Sequence, residues 1–527
     1  MIRSGRVLPR GRVERGLRQR IGWGRRSGLL ALIALVPRGG GRHRVAILCA
    51  VAALTAASAN SAHGAPPPIS TPVTGEEGQA APSAGLFGFL ATINRSSALL
   101  GDLWGLRTLL SRYGMTLALQ ETSEVLANVT GGTHTGPAYD GVTQGLLQLN
   151  TQRAFNFYGG LLNVSGLWIH GRNLSSDNLQ TLQTSSGIEA DRSVRLWELW
   201  YDQKFLDEDR LDIKIGQQSL DQEFMVSTNA LYFVNTMFGW PMLPSADLPG
   251  GGPAYPLSAL GVRLSARPVD GINVLAGVFN GSPVPHNTGD PQKENPSGTS
   301  FPLGNGTLSV LELQFFYPAL GSMVLPGESP ALGWTYRIGA WHNSEKFSDQ
   351  RFDQTGLSLA DPNSTGQPRL HRGDYAIYAV ADRLVWRDDT DPNRTIALFA
   401  RAMGTPLADR NLIDFSLNAG FIVHSPFRYR TDDIFGIGMG YAHVSNRASS
   451  LDRDTNNFNG TPGAPVRSGE TFVEMTYQYL LKPWIILQPD VQYIINPGGG
   501  IPDPTDPNPN HRIKNELVLG LRAIVSF

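Results

Sequence analysis

From residue 115 to the end of the chain, apolar and polar residues alternate in short runs. In 210–218, Leu211, Ile213 and Ile215 point one way, and Asp212, Lys214 and Gln218 the other. In 470–480, Thr471, Val473, Met475, Tyr477 and Tyr479 lie opposite Phe472, Glu474, Thr476 and Gln478. In 412–423, Ile413, Phe415, Leu417, Ala419 and Phe421 lie opposite Asp414, Ser416 and Asn418. A period of two over such lengths means strands with one apolar and one polar face. Sixteen segments read this way: 116–129, 141–152, 158–170, 193–205, 210–218, 258–267, 272–280, 307–317, 333–343, 374–386, 394–403, 412–423, 434–444, 470–480, 485–495 and 514–527.

The connections sort by length. Short links (153–157, 206–209, 268–271, 481–484) take turns with long ones (130–140, 171–192, 219–257, 281–306, 344–373, 445–469, 496–513). Transmembrane β-barrels have this rhythm, with short turns on the periplasmic side and long loops outside. A soluble sandwich would not sort its loops so over sixteen strands. The expected fold is therefore all-β: a transmembrane antiparallel barrel of about sixteen strands, occupying 115–527. No second helical segment as long as the one described below is evident inside that range.

One connection breaks the pattern. Ser219 to Leu257 is the third long one and contains no Lys or Arg, three acids (Asp221, Glu223, Asp247) and six aromatics, among them Tyr232 and Trp240. A structureless loop of this length inside a compact domain is expected only where it has a function. It is expected to fold into the lumen and make the narrow point of a pore. Phe224 to Ala246 carries no charge and is long enough for a membrane helix. Its Ser, Thr, Asn and Pro content, and its place between two strands, argue against that reading.

Ahead of the barrel the pattern changes twice. Leu99, Leu103, Leu106, Leu109 and Leu110 recur at helical spacing and Gly114 follows as a stop, so 86–114 reads as an amphipathic periplasmic helix. Residues 66–85, rich in Pro, Ser, Gly and Ala, read as a flexible linker. Residues 1–65 hold twelve Arg and one acid, then an apolar run ending in small residues, VAILCAVAALTAASANSAHGA. That is the pattern of an export signal, with cleavage expected between Asn60 and Pro66.

Composition adds two exclusions. Of 44 basic and 45 acidic residues, the leader takes twelve and one, leaving a net charge near −12, so nucleic acid is excluded as a partner. The one cysteine, Cys49, lies in the leader, so the barrel has neither disulfides nor thiolate chemistry. The eight histidines outside the leader are scattered, without metal-ligand spacing. No G-x-S-x-G elbow or phosphate loop occurs. Asp503 and Asp506 sit in a proline-stiffened stretch that reads as a solvated external loop. No cofactor, metal or catalytic residue is expected.

The polar faces point to a different chemistry. Strand 193–205 puts Glu198, Trp200, Asp202 and Lys204 on one side, opposite Trp197, Leu199, Tyr201 and Phe205. Strand 333–343 puts Arg337 and Trp341 together, opposite Trp334, Tyr336 and Ile338, which suit an interfacial girdle. Aromatics on a water-facing wall need a cover: a neutral sugar, whose C–H face stacks on a ring, or the folded-in loop itself. Both readings stay open. The candidate constriction residues are Glu198, Trp200, Asp202, Asp221, Glu223, Asn229, Tyr232, Asn235, Trp240, Arg263, Arg337, Trp341 and Arg401. The loop's acids are expected to face Arg263, Arg337 or Arg401 across the lumen, giving a narrow point of mixed charge. A basic constriction, as an anion channel would want, is not indicated.

Four stretches resemble a known family. SGIEADRSVRLWELWYDQKFL (186–206), DLPGGGPAYPLSALGVRL (247–264), LADRNLIDFSLNAG (407–420) and QPDVQYIINPGGGIPDP (488–504) are similar to the carbohydrate-selective porins of Gram-negative outer membranes, the glucose porin family. The likeness runs in matching order from about Leu99 to Phe527. It implies a sixteen-stranded barrel that lets mono- and oligosaccharides diffuse down a gradient, without catalysis. The implied partners are neutral sugars as the permeating solute and outer-membrane lipid; further copies of the chain are an open arrangement. The family's G-D-W-G-G-L-R appears here as Gly101-Asp102-Leu103-Trp104-Gly105-Leu106-Arg107, with its Trp displaced by one position. The aromatic Phe527, ending the last strand on its lipid side, is where insertion machinery is expected to read the chain.

Overall fold

A computed structural model describes residues 97–286, 289–318 and 331–527. The leader, the linker and residues 86–96 of the expected helix lie outside the described residues. Sixteen antiparallel strands form one closed barrel in which each pairs with its sequence neighbours and the last pairs with the first. They are β1 (Met115–Thr130), β2 (Gly136–Asn150), β3 (Gly160–Gly171), β4 (Ser193–Phe205), β5 (Leu211–Gln218), β6 (Ala259–Val269), β7 (Ile272–Asn280) and β8 (Thr307–Tyr317). The second half comprises β9 (Trp334–Asp353), β10 (Pro368–Arg387), β11 (Thr395–Gly404), β12 (Ile413–His424), β13 (Ile434–Val444), β14 (Gly469–Lys482), β15 (Ile485–Ile495) and β16 (Glu516–Ser526). Every expected strand is present. Closure removes all unpaired edges, which a membrane span requires because lipid offers backbone groups no partner.

Four expectations need correction. Among the described residues of the expected helix, Leu106–Arg112 are helical, with tight turns before them; Leu103 and Trp104 both take positive φ (48° and 57°). A thirteen-residue helix, Asn446–Phe458, stands in the loop between β13 and β14, where none was expected. It is mostly polar (NRASSLDRDTNNF), and Ala448, Leu451 and Phe458 are too sparse a pattern to read as a helix; Ser445 caps it by accepting from the Ala448 amide. The stretch 344–373 is mostly strand rather than loop, because β9 and β10 extend beyond the expected limits and pair as far as Asp353 and Pro368.

The fourth concerns which way side chains point. The β3–β4 register slips between Ser165 and Gly166, so Trp197 is an extra residue with no partner on β3. Such a bulge flips the alternation. Arg195 and Trp197 therefore face inward above it, as Glu198, Trp200 and Asp202 do below, and Trp197 meets Tyr255 edge-on at 6.2 Å. A second slip, at Asp414 between β12 and β13, turns Ile413 inward, where it is fully buried.

The core lies inside the barrel. The loop 219–258 crosses the lumen and buries Phe224, Phe233, Phe238, Trp240 and Leu243 against the wall. Phe233 and Phe238 stack at 4.2 Å, and Phe238 meets Phe399 and Phe472 edge-on at 5.7 and 5.3 Å. Each ring so buried contributes about 1.5–3 kcal/mol. The wall makes room with glycine: a Cβ at Gly438 of β13 would stand 2.6 Å from the Phe238 ring. The loop 172–192 also turns inward, burying Leu179 and Ile188; the sequence reading did not anticipate this.

Candidate pore constriction

The wall of β4–β6 presents a row of charges. Asp202 is the register partner of Lys214, and Lys214 of Arg263, so three strands place one acid and two cations side by side. Asp212 stands two residues from Lys214 on the same inward face. Glu223 of the crossing loop enters this row. Its carboxylate pairs with Arg263 Nε at 2.6 Å and also with Lys214 Nζ. Arg263 further pairs with Asp202, at 3.7 Å, and with Asp212. Two cations thus meet three carboxylates with no cation in excess. Part of this cluster opens to the lumen: the Glu223 and Asp212 side chains are 23% and 21% accessible.

From Glu223 the loop runs across the lumen, and wall carboxylates receive its backbone amides. Glu312 on β8 accepts from Met225 N–H at 2.8 Å and from the Tyr378 hydroxyl at 2.9 Å. Asp382 on β10 accepts from the Ser227 hydroxyl at 2.6 Å, from the Asn229 side chain at 3.0 Å and from Arg337 Nη1 at 3.0 Å. Glu474 on β14 accepts from Val234 and Asn235 N–H at 2.6 and 2.9 Å. Gln478 and Gln488 donate to the Tyr232 carbonyl at 3.1 and 2.8 Å. The Tyr232 ring stands edge-on to His424 at 5.4 Å and keeps part of its surface free.

Loop carbonyls are met by Arg401, which is fully buried and donates to the oxygens of Met225, Gly239, Phe238 and Met237. Asn418 Oδ1, on the neighbouring strand, orients its guanidinium at 3.1 Å. The expectation that Arg401 would face a loop acid across the pore is therefore corrected: it is a backbone clamp beneath the loop.

The root of the loop is closed by its own acids. Asp221 accepts from Tyr255 N–H at 3.0 Å and from the Ser219 hydroxyl at 2.5 Å. Burial raises its carboxyl to about 6 despite those bonds. Asp247 accepts from Leu412 and Ile413 N–H at 2.8 and 3.3 Å, and burial pushes it well above the usual carboxylate range. Neither faces open lumen.

The expected residues therefore divide. Glu223, Asn229, Tyr232 and Arg337 border accessible lumen, and Asp202 and Arg263 complete the charge row behind them. Glu198 accepts from Ser219 N–H at 3.1 Å, and Asn235 caps the turn Thr236–Gly239 while bonding Gln492 at 3.0 Å. Trp240 has no accessible surface and donates Nε1–H to the Gly251 carbonyl; Trp341 is 2% accessible. The Lys214 ammonium lies 4.3 Å from the Trp200 ring centre. These three indoles pack under the loop or beneath Lys214, which leaves no open face on which a sugar could stack. Asp212, Lys214, Glu312, Asp382 and Glu474 were missed as site residues. Their signal was present, since each sits at an inward position of an alternating strand.

Residues 134–527 match the family model of the carbohydrate-selective porins, OprB family. Porin B of Pseudomonas aeruginosa is 27% identical over 450 residues, covering 82% of this chain and 92% of that protein. A putative porin, QuiX, of Acinetobacter baylyi is 20% identical over 421 residues, covering 76% and 89%. The high-pH structure of Pseudomonas putida OprB superposes with a TM-score of 0.69 at 24% identity, covering 83% of this chain and all of that one.

Proposed function

The chain belongs to the OprB family of carbohydrate-selective porins and is an outer-membrane sugar channel, and we propose that its solute passes the charge row where Glu223 meets Lys214 and Arg263. The family is one of channels, not enzymes. What carries the proposal is the composition of that row: donors and acceptors within a few Å of one another, three carboxylates on two cations, with no cation in excess. A sugar hydroxyl both donates and accepts, so it can bond an acid and a cation at once. An inorganic anion or cation meets its own sign wherever it meets the opposite one.

Hydrogen bonds to charged groups contribute roughly 1.5–3 kcal/mol each. Displaced water and lost freedom offset much of this, leaving the weak, multi-site binding that lets a solute leave as readily as it enters. Asn229 and the partly buried Tyr232 lie farther along the same loop and offer the next amide and ring. In this reading Tyr232, rather than Trp200, Trp240 or Trp341, is the aromatic a sugar meets.

Sugar block of ion current through single channels tests the assignment. Glu223→Gln and Lys214→Met should each weaken block by neutral sugars about tenfold while the pore still conducts. Unchanged block in both would remove the charge row from the solute path. Liposome swelling with a panel of sugars, amino acids and salts checks the solute class independently.

A further inference from the structure

At the outer end of the seam between first and last strands, one carboxylate is left without a partner. Glu516, the first residue of β16, points into the barrel and has no accessible surface. Among the described residues, neither of its carboxylate oxygens accepts a hydrogen bond or meets a cation. Its neighbours on the inward face are apolar: Val518 on its own strand and Ile494, its register partner on β15, are equally buried. The nearby Glu470 of β14 has donors of its own, the amides of Leu182, Gln183 and Gly498 at 2.8, 2.7 and 2.7 Å. It adds negative charge and gives Glu516 no relief. A buried carboxylate in this state is costly unless something pairs with it.

Asn128 of β1 supplies a second unpartnered atom. It is the register partner of Val518 and is buried on the same inward face as Glu516. Its amide orientation is fixed, because Nδ2 donates to the Gly131 and His134 carbonyls at 2.9 and 2.8 Å. Oδ1 is left buried and without a donor. Gly132 shows how near the two groups are: a Cβ there would stand 2.6 Å from Asn128 Nδ2 and 3.1 Å from Glu516 Oε1. The Asn178 carbonyl, 2.6 Å from the same point, brings the loop 172–192 to this corner. That carbonyl already accepts from the amides of Thr133 and His134 at 2.8 and 3.2 Å, so it walls the corner.

We propose that Glu516 and Asn128 hold a calcium ion at the corner where β1, β16 and the loop 172–192 meet. A cation lying between them answers both unpartnered groups at once. The donors suit a hard, oxygen-seeking ion: a carboxylate that can bind through both oxygens and a neutral amide oxygen, with no thiolate or imidazole. Ca²⁺ takes roughly six to eight oxygens, so water completes its shell. Donors from opposite ends of the barrel sequence leave no spacing to read, which is why no metal was expected. Held there, the ion ties the first strand to the last beside a loop that turns into the lumen. The inference is independent of which solute passes.

Calcium titration of the detergent-solubilised protein, first stripped with EDTA, tests it. Calorimetry should find one Ca²⁺ per chain, and the temperature at which the folded band disappears on gels should rise by several degrees. Mg²⁺ at the same concentration should give a much smaller shift, since it gives up its water reluctantly. Glu516→Gln keeps the shape and removes the charge; it should weaken Ca²⁺ binding about tenfold or more and abolish the shift. Asp503→Asn, in the external loop, should change neither. Hydrogen exchange of the parent with and without Ca²⁺ locates the ion even if Glu516→Gln fails to fold: exchange should slow in 128–134 and 514–518. No binding at millimolar Ca²⁺, an equal shift with Mg²⁺, slowing confined to other segments, or binding that survives Glu516→Gln overturns the proposal. So does a parent indifferent to Ca²⁺ yet destabilised as pH rises, which would put a proton on Glu516 instead.

Discussion

The Val234 amide, in the middle of the crossing loop, donates to Glu474 of β14 at 2.6 Å across 240 residues of sequence. The relationship explains why the loop carries so few charges of its own. A loop lying across a lumen must satisfy its backbone without a sheet to join. Here wall carboxylates take its amides and Arg401 takes its carbonyls. Charge-assisted bonds of this kind are shorter and stronger than neutral ones. The loop's own side chains are left free to be apolar, and they fill the barrel.

Removing the clamp should therefore loosen the loop and leave the barrel standing. Arg401→Leu strands at least three buried carbonyls, each costing about 1–3 kcal/mol. Single-channel records of this variant should show larger open-state noise and more frequent closures. Far-ultraviolet circular dichroism should keep its strand signal. Quiet currents like those of the parent would mean that the aromatic packing holds the loop unaided.

Charge reversal in ion preference should mark Glu223. Replacing it by Gln leaves Lys214 and Arg263 facing the lumen with only the wall acids Asp202 and Asp212 behind them. Reversal potentials in a salt gradient should then move toward anion preference. Asp221→Asn, buried at the loop root, should leave them nearly unchanged. Equal shifts in both variants would argue against Glu223 as the exposed member of the pair.

The barrel was legible because alternation depends only on local sequence: all sixteen strands follow from a period of two. Trp197 and Ile413 were misread because a bulge costs one residue and leaves no mark in composition. The site was half legible. Glu223 and Arg263 could be chosen because one lies on a cation-free loop and the other on a polar face. That Trp240 and Arg401 would be sealed under that loop depends on the path of the loop across the barrel. The glycines of GIGMGY (436–441) were the nearest signal, since Gly438 makes room for Phe238.

Loop docking should weaken as pH rises. Burial lifts Asp221 to about 6 from an ordinary value near 3.8, and lifts Glu189 of the second inward loop to about 8 from 4.5. An acid whose folded value is raised favours the docked loop most fully below its unfolded value, and that advantage fades as pH climbs through the folded value. For Asp221 the window is about pH 4 to 6, worth on the order of 3 kcal/mol. For Glu189 it runs to about 8. Hydrogen exchange in 219–257 should quicken between pH 4 and 6, and in 172–192 between about 5 and 8. Asp221→Asn and Glu189→Gln should each flatten their own loop's response. A flat profile in the parent protein would show that both carboxyls ionise freely while docked.

The seam between first and last strands should depend on Arg107. Its guanidinium is buried and donates to main-chain oxygens of Gly101 and Phe527, and to the Leu117 carbonyl on β1 at 3.3 Å. Beside it the Phe527 amide donates to the Leu119 carbonyl at 2.9 Å and the Leu99 amide to that of Ser526 at 2.8 Å. Asp102 holds the short helix that presents Arg107, accepting from both the amide and the hydroxyl of Thr108 at 2.8 Å. The displaced Trp104 is 64% exposed. Arg107→Ala should lower the temperature at which the folded band disappears on gels by several degrees, and Arg107→Lys should restore only part of the loss because Lys lacks the planar fork. Asp102→Ala should cost less by itself and add little to Arg107→Ala, since both act through one contact. Full additivity in that double-mutant cycle would separate the helix from the seam and refute the clasp.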